Sequence, residues 1–109
     1  MAKFVRVARV GDVPPGTGKL VMGPYEKPMA LFNVDGRYYA VNAICPHMGG
    51  PLSEGTLRGA VVTCAWHGWT FDVRDGKPDH PGGHRVSAYE TKVEGDGIYV
   101  GWLKPGSEG

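Results

Sequence analysis

Glycine and proline interrupt this chain between short apolar runs, and together they make up about a quarter of its 109 residues (18 Gly, 9 Pro). In a helix interior each Gly costs about 1 kcal/mol and each Pro about 3. A long-helix architecture is therefore closed to this sequence, and a turn-rich, all-β domain is the fold class it predicts. The apolar share of 41% and the aromatic share of 10% are too high for a disordered chain. A length of 109 residues makes one domain, not two. The net charge of +1 argues against a nucleic-acid partner and against a polybasic membrane anchor. No run approaches the ~18 apolar residues of a membrane span. Met1 to Arg6 contains no apolar segment of a secretory signal. With only two cysteines, a reducing, cytoplasmic setting is expected.

About eight short strands are expected. Phe4 to Val10 is a β-branched run closed by the Gly11 to Gly18 turn, which holds Pro14-Pro15; Leu20 to Met22 follows. Ala30, Phe32 and Val34 alternate with Leu31 and Asn33, then Asp35-Gly36 turns the chain into Tyr38 to Asn42. Alternation around Asp-Gly is the strongest short hairpin signal. Ala60 to Cys64 and Trp69 to Val73 read as further strands, with a turn at Asp75-Gly76. Val86 to Val93 and Ile98 to Leu103 flank Glu94-Gly95-Asp96-Gly97, a second hairpin signal. Ser53 to Arg58 is expected to hold one helical turn at most. That final hairpin and the polar tail to Gly109 read as the end of a complete chain. Strands and turns at this spacing mean a sandwich or small barrel.

The chemistry lies in two cassettes, Cys45-Pro46-His47 and Cys64-Ala65-Trp66-His67. They use both cysteines and half of the four histidines. Each ends an apparent strand and opens into a glycine-bearing loop, His47-Met48-Gly49-Gly50-Pro51 and His67-Gly68-Trp69. One Cys–His pair is most often structural; two matched pairs point to a metal. Two thiolates and two imidazoles suit tetrahedral zinc. Zinc knuckles, however, usually pair like with like, whereas each cassette here mixes the two ligand types. Mixed cassettes suit a dinuclear cluster with the cysteines on one iron and the histidines on the other. Backbone N–H groups of such glycine-rich turns favour an anionic, sulfide-bearing group.

The stretches Cys45-Pro46-His47-Met48-Gly49-Gly50-Pro51-Leu52 and Cys64-Ala65-Trp66-His67-Gly68-Trp69-Thr70-Phe71-Asp72 resemble the Rieske ferredoxins, small electron carriers of ring-hydroxylating dioxygenase systems. Ala65 departs from the family, which often has Pro there, at a position that is no ligand. The resemblance implies a Rieske-like antiparallel β-sandwich with a small cluster-binding subdomain of two Gly-rich loops. It implies a single domain over 1–109, with the cluster-binding part at about 43–83. The cofactor implied is one [2Fe-2S] cluster held by Cys45, His47, Cys64 and His67. Met48, Gly49, Trp66, Gly68, Trp69 and Pro81 would surround it, with a third loop, Asp79 to Gly83, closing over it. His80 and His84 read as exposed residues of that loop.

Two ferric ions, two sulfides and two thiolates sum to no net charge, so such a site accepts an electron more easily than an all-cysteine one. High-potential members carry an added Cys pair, at positions that by resemblance are Gly50 and Trp66 here. They also place Ser and Tyr hydroxyls against the sulfurs, at positions that are Trp69 and Phe71 here. Neither of those side chains offers a hydroxyl, so a potential near the low end of the Rieske span, about −150 mV, is expected.

No nucleotide fingerprint is present, nor a 2-His-1-carboxylate set beyond the ligands already used. The chain is therefore expected to be a one-electron shuttle rather than an enzyme. The resemblance implies a flavoprotein NAD(P)H-dependent reductase as donor and a terminal oxygenase as acceptor, with no nucleic-acid or membrane partner. The competing readings are a Rieske-like small subunit of a larger oxidoreductase such as nitrite reductase, and a zinc-stabilised binding module.

Overall fold

The computed structural model describes residues 4–44, 51–64, 68–79 and 85–104, with Tyr25 by its backbone alone. Among them lie nine strands: β1 (Val5–Arg9), β2 (Gly18–Met22), β3 (Pro28–Val34), β4 (Arg37–Asn42), β5 (Thr56–Arg58), β6 (Val61–Thr63), β7 (Thr70–Asp72), β8 (Ala88–Glu94) and β9 (Gly97–Leu103). The helical content of the described residues is two single 3-10 turns, Pro24–Glu26 and Leu52–Glu54. No helix among them is long and apolar enough to cross a membrane.

The strands form two antiparallel sheets. The larger has the order β1-β9-β8-β4-β3-β2, and the smaller the order β5-β6-β7. The expected Asp35-Gly36 hairpin is present. Val34 pairs with Arg37 across it, and Asp35 and Gly36 have φ of 52° and 90°. Both central residues are thus left-handed, as a two-residue turn matching the strand twist requires. Gly95-Asp96 closes the β8–β9 hairpin in the same length, with Glu94 opposite Gly97.

Nine strands replace the expected eight because Thr56–Arg58 is extended, not helical. The 3-10 turn that precedes it occupies Leu52–Glu54 and ends at Gly55, whose N–H donates to the Leu52 carbonyl at 3.0 Å. Gly55 then passes so close to β6 that a Cβ would sit 2.3 Å from the Thr63 carbonyl oxygen. Only a residue without a side chain permits that approach.

The central strands of the large sheet are buried on both faces. Ala30, Val41 and Ala88 stand opposite one another across β3, β4 and β8 and face the small sheet. With Phe32, Leu52, Val62, Cys64, Phe71 and Val73 they form the first core. Leu31, Ala40 and Tyr89 make the adjacent row on the opposite face. They join Met29, Val21, Ile98 and Val100 in the second core. Ala8 of edge strand β1 and Val21 of edge strand β2 belong to that same cluster, so the large sheet curls around it. Fully burying each large apolar side chain contributes about 1.5–3 kcal/mol. The first core is thus what fastens the small sheet to the large one.

Candidate metal centre

The segments 45–50, 65–67 and 80–84 lie outside the described residues, and the residues that flank each are its root. Main-chain hydrogen bonds fix the roots of all three. Ile44 and Pro51 form an antiparallel bridge at the root of the first, and the Leu52 N–H donates to the Ala43 carbonyl at 2.8 Å. Leu52 then anchors the returning chain in the first core. At the second, the Cys64 N–H donates to the Trp69 carbonyl at 2.7 Å, and the Gly68 N–H donates to the Cys64 carbonyl at 3.1 Å. Gly68 has φ +78°, the left-handed conformation that a glycine adopts without strain.

The third root is joined to both others. Pro78 bridges Phe71, and the Asp79 N–H donates to the Thr70 carbonyl at 2.8 Å, directly beside the second root. On the return side the Val86 N–H donates to the Gly76 carbonyl. Ser87 ties this exit to the strand leading into the first loop. Its N–H donates to the Asn42 side-chain oxygen at 2.8 Å, and its carbonyl accepts from the Asn42 N–H at 3.1 Å. Asn42 and Gly76 therefore hold the flanking residues in one frame. A Cβ on Gly76 would meet the Val86 carbonyl oxygen at 2.0 Å, and its φ is +78°.

Sequence reasoning passed over these two fasteners. The available signal was a polar Asn at the end of an apolar strand, immediately before the first cassette.

Of the four proposed ligands, Cys64 lies in the described structure. Cys45, His47 and His67 lie outside it, as do Met48, Gly49, Trp66, Pro81, His80 and His84. Cys64 is 2% exposed and packs in the first core with Leu52 and Phe71. Its backbone is fixed by the bonds to Trp69 and Gly68 on the side where the loop opens. A cysteine binds a metal as its thiolate, and an apolar wall of this kind suits that charge only when a metal cation neutralises it. Its donor chemistry and its place at the strand end thus fit an iron–sulfur ligand. No group of three or more His, Cys, Asp or Glu side chains gathers among the described residues. Any set of three or more such donors that includes Cys64 therefore draws on residues outside the described ones.

Trp69 packs partly buried against the first core, its ring centroid 6.4 Å from that of the fully buried Phe71. These two rings form an apolar floor beneath the second root. At the far end of β7, Arg74 clamps Asp72 with bonds of 3.0 and 2.7 Å from its guanidinium and 2.9 Å from its backbone N–H. The side-chain bonds hold the Asp72 carboxyl below its ordinary range, against a smaller opposing effect of burial. The Asp72 N–H in turn donates to the Lys77 carbonyl, so the clamp steadies the turn that carries the third root.

Comparison with known proteins gives the centre its class. The model of the Rieske [2Fe-2S] domain matches residues 3–90. The biphenyl dioxygenase ferredoxin subunit of Pseudomonas sp. (strain KKS102) is 37% identical over 99 residues, covering 89% of this chain and 90% of that protein. The complex of reduced oxygenase and oxidized ferredoxin in carbazole 1,9a-dioxygenase contains a chain that superposes with a TM-score of 0.81 at 34% identity. The match covers 89% of this chain and 91% of that one. A putative NADH-dependent nitrite reductase small subunit from Mycobacterium tuberculosis superposes with a TM-score of 0.83 at 25% identity, over 95% and 98% of the two chains. The antiparallel sheets, the cysteine at the second loop root and the match over 3–90 agree: the chain belongs to the Rieske [2Fe-2S] domain family, and its cofactor is a Rieske-type [2Fe-2S] cluster.

Proposed function

We propose that this chain is the ferredoxin component of an oxygenase system, a single domain over 1–109 working in a reducing, cytoplasmic setting. The observation that carries this reading is end-to-end likeness to a dioxygenase ferredoxin subunit, covering 89% of this chain and 90% of its relative. Cys45 and Cys64 would hold one iron of the cluster, and His47 and His67 the other. When bound, the cluster supplies reversible one-electron chemistry. The chain's own contribution is positional. The roots at Ile44–Pro51 and Cys64–Trp69 keep the ligand-bearing segments in register, the bonds from Asp79 to Thr70 and from Val86 to Gly76 fix the third segment's root beside them, and the Leu52–Phe71 wall keeps water from the Cys64 side. The electron donor is a flavoprotein NAD(P)H-dependent reductase, the acceptor is a terminal oxygenase, and the chain itself transforms no substrate. The apolar floor of Trp69 and Phe71 offers the cluster no hydroxyl, which supports a potential near the low end of the Rieske range, about −150 mV.

The likeness to a nitrite reductase small subunit supports a second reading, a subunit of a larger oxidoreductase. Anaerobic purification tests both. The ferredoxin reading expects a monodisperse small protein with iron and acid-labile sulfide in equal amounts and a low-average-g EPR signal after dithionite. It also expects oxidation of the reduced protein by a terminal oxygenase. Obligate co-purification with a large subunit would favour the second reading, and one zinc without sulfide would overturn both.

A further inference from the structure

Strands β4 and β8 pair over two positions only, Ala40 with Tyr89 and Val41 with Ala88. The next pair in that register is Asn42 with Ser87, and there the ladder changes its acceptor. In a regular antiparallel ladder, two facing residues of a hydrogen-bonded pair exchange both main-chain N–H···O bonds. The Asn42 N–H does donate to the Ser87 carbonyl, at 3.1 Å. The returning Ser87 N–H donates instead to the Asn42 side-chain oxygen, at 2.8 Å. A side chain thus takes the place of the Asn42 main-chain carbonyl and stands as a spacer between two strands that part at this point. One limb of the fork runs through Ala43 and Ile44 to Cys45, and the other comes from segment 80–84 through Arg85 and Val86. Farther out each limb is tied to a different element, Ala43 to Leu52 and Val86 to Gly76. The spread between the limbs is therefore fixed at its base by one carboxamide.

We infer that Asn42 is a positioning residue for the cluster: its side-chain oxygen sets the spread between the strand leading to Cys45 and the strand that follows the third segment, and through that spread the cluster's exposure to water. The inference rests on the ligand set proposed above, which places Cys45 on one limb of the fork. On reduction the cluster passes from no net charge to one negative charge, and water favours the charged form. A looser fork therefore raises the potential and shortens the life of the cluster. An oxygen acceptor at position 42 holds the fork, and an alanine there offers none.

The test compares the anaerobically purified holoprotein with its Asn42→Ala and Asn42→Asp variants. Asn42→Ala is expected to lose its visible absorption in air about threefold to tenfold faster than the wild type, and to show a positive shift in voltammetric potential. Asn42→Asp keeps an oxygen that accepts from Ser87 and adds a negative charge. It is expected to bleach at the wild-type rate, with a potential at or below that of the wild type. A residue that only stabilises the fold would lower the Tm of Asn42→Ala without moving its potential, and that result would overturn the inference. Equal bleaching rates in all three proteins, or the same positive shift in both variants, would also overturn it. If Asn42→Ala yields no folded protein, bleaching of Asn42→Asp several-fold faster than the wild type has the same force. A wild type without a low-average-g EPR signal after dithionite would remove the ligand set itself, and the inference with it.

Discussion

One oxygen atom separates Phe71 from the tyrosine that high-potential relatives of this sequence are expected to carry. Phe71 is fully buried in the same core as Cys64 and packs against Trp69. A hydroxyl introduced there would donate to the cluster's sulfur atoms and stabilise the more negative, reduced form. Phe71→Tyr is therefore expected to raise the potential by on the order of 50 mV, as one hydrogen bond that favours the reduced state by about 1 kcal/mol would do. Protein-film voltammetry of the two proteins checks this, and an unchanged potential would remove the hydroxyl argument. Cys64→Ser addresses the ligand itself. It is expected to leave a chain with less than a tenth of the wild-type iron and acid-labile sulfide, measured on anaerobically purified material.

Among the described elements, the turn that follows β7 bears the tightest constraint. Gly76 combines φ +78° with a Cβ position 2.0 Å from the Val86 carbonyl oxygen. Gly76→Ala should cost about 2 kcal/mol or more, from left-handed strain and from displacement of the Gly76–Val86 hydrogen bond. The measurement is a thermal melt, with a loss of at least several degrees expected for a domain of this size. The neighbouring Asp72–Arg74 clamp adds a pH signature. The folded-state carboxyl titrates below its unfolded value. Its contribution is therefore complete above about pH 4 and is lost as pH falls through the lower folded value. Arg74 is 60% exposed, so the effect is small. Asp72→Asn should lower the urea midpoint by a few tenths molar at pH 7, and the difference should shrink as pH falls below about 4.

These elements also mark how far the sequence was legible. The β3–β4 hairpin was readable because Asp35-Gly36 alone can supply two left-handed positions between alternating runs. The cassettes stood out in the sequence because thiol and imidazole pairs are scarce and are repeated, although of their four proposed ligands Cys64 alone lies among the described residues. Strand β5 was not, because three residues flanked by glycines carry no periodicity, and its pairing with β6 comes from tertiary contact. The double-faced burial of β3 was equally hidden. Ala30 and Phe32 alternate with Leu31, and two apolar sets do not announce which face is inside. Asn42 as a tie between the first and third loop roots depends on Ser87, 45 positions away.

At the scale of the molecule, β3 and β4 serve both cores, so neither core can loosen alone. Leu31 lies in the second core and Phe32 in the first. Leu31→Ala should cost about 2–5 kcal/mol and Phe32→Ala about 3–5. Because the two strands are shared, Leu31→Ala is expected to lower the melting of the far-UV CD signal and of the cluster's visible absorption together, in one coincident transition. Separate transitions would show that the small sheet is held independently of the large one. The roots of the ligand-bearing segments have an evolutionary corollary. Their fastenings run mostly through main-chain atoms, which every amino acid but proline supplies in full, so these bonds do not depend on the side chains of the residues between them. Transplanting positions 45–50 or 80–84 from a distant cousin should thus be tolerated by the scaffold, leaving selection to retune redox behaviour and recognition on an inherited chassis.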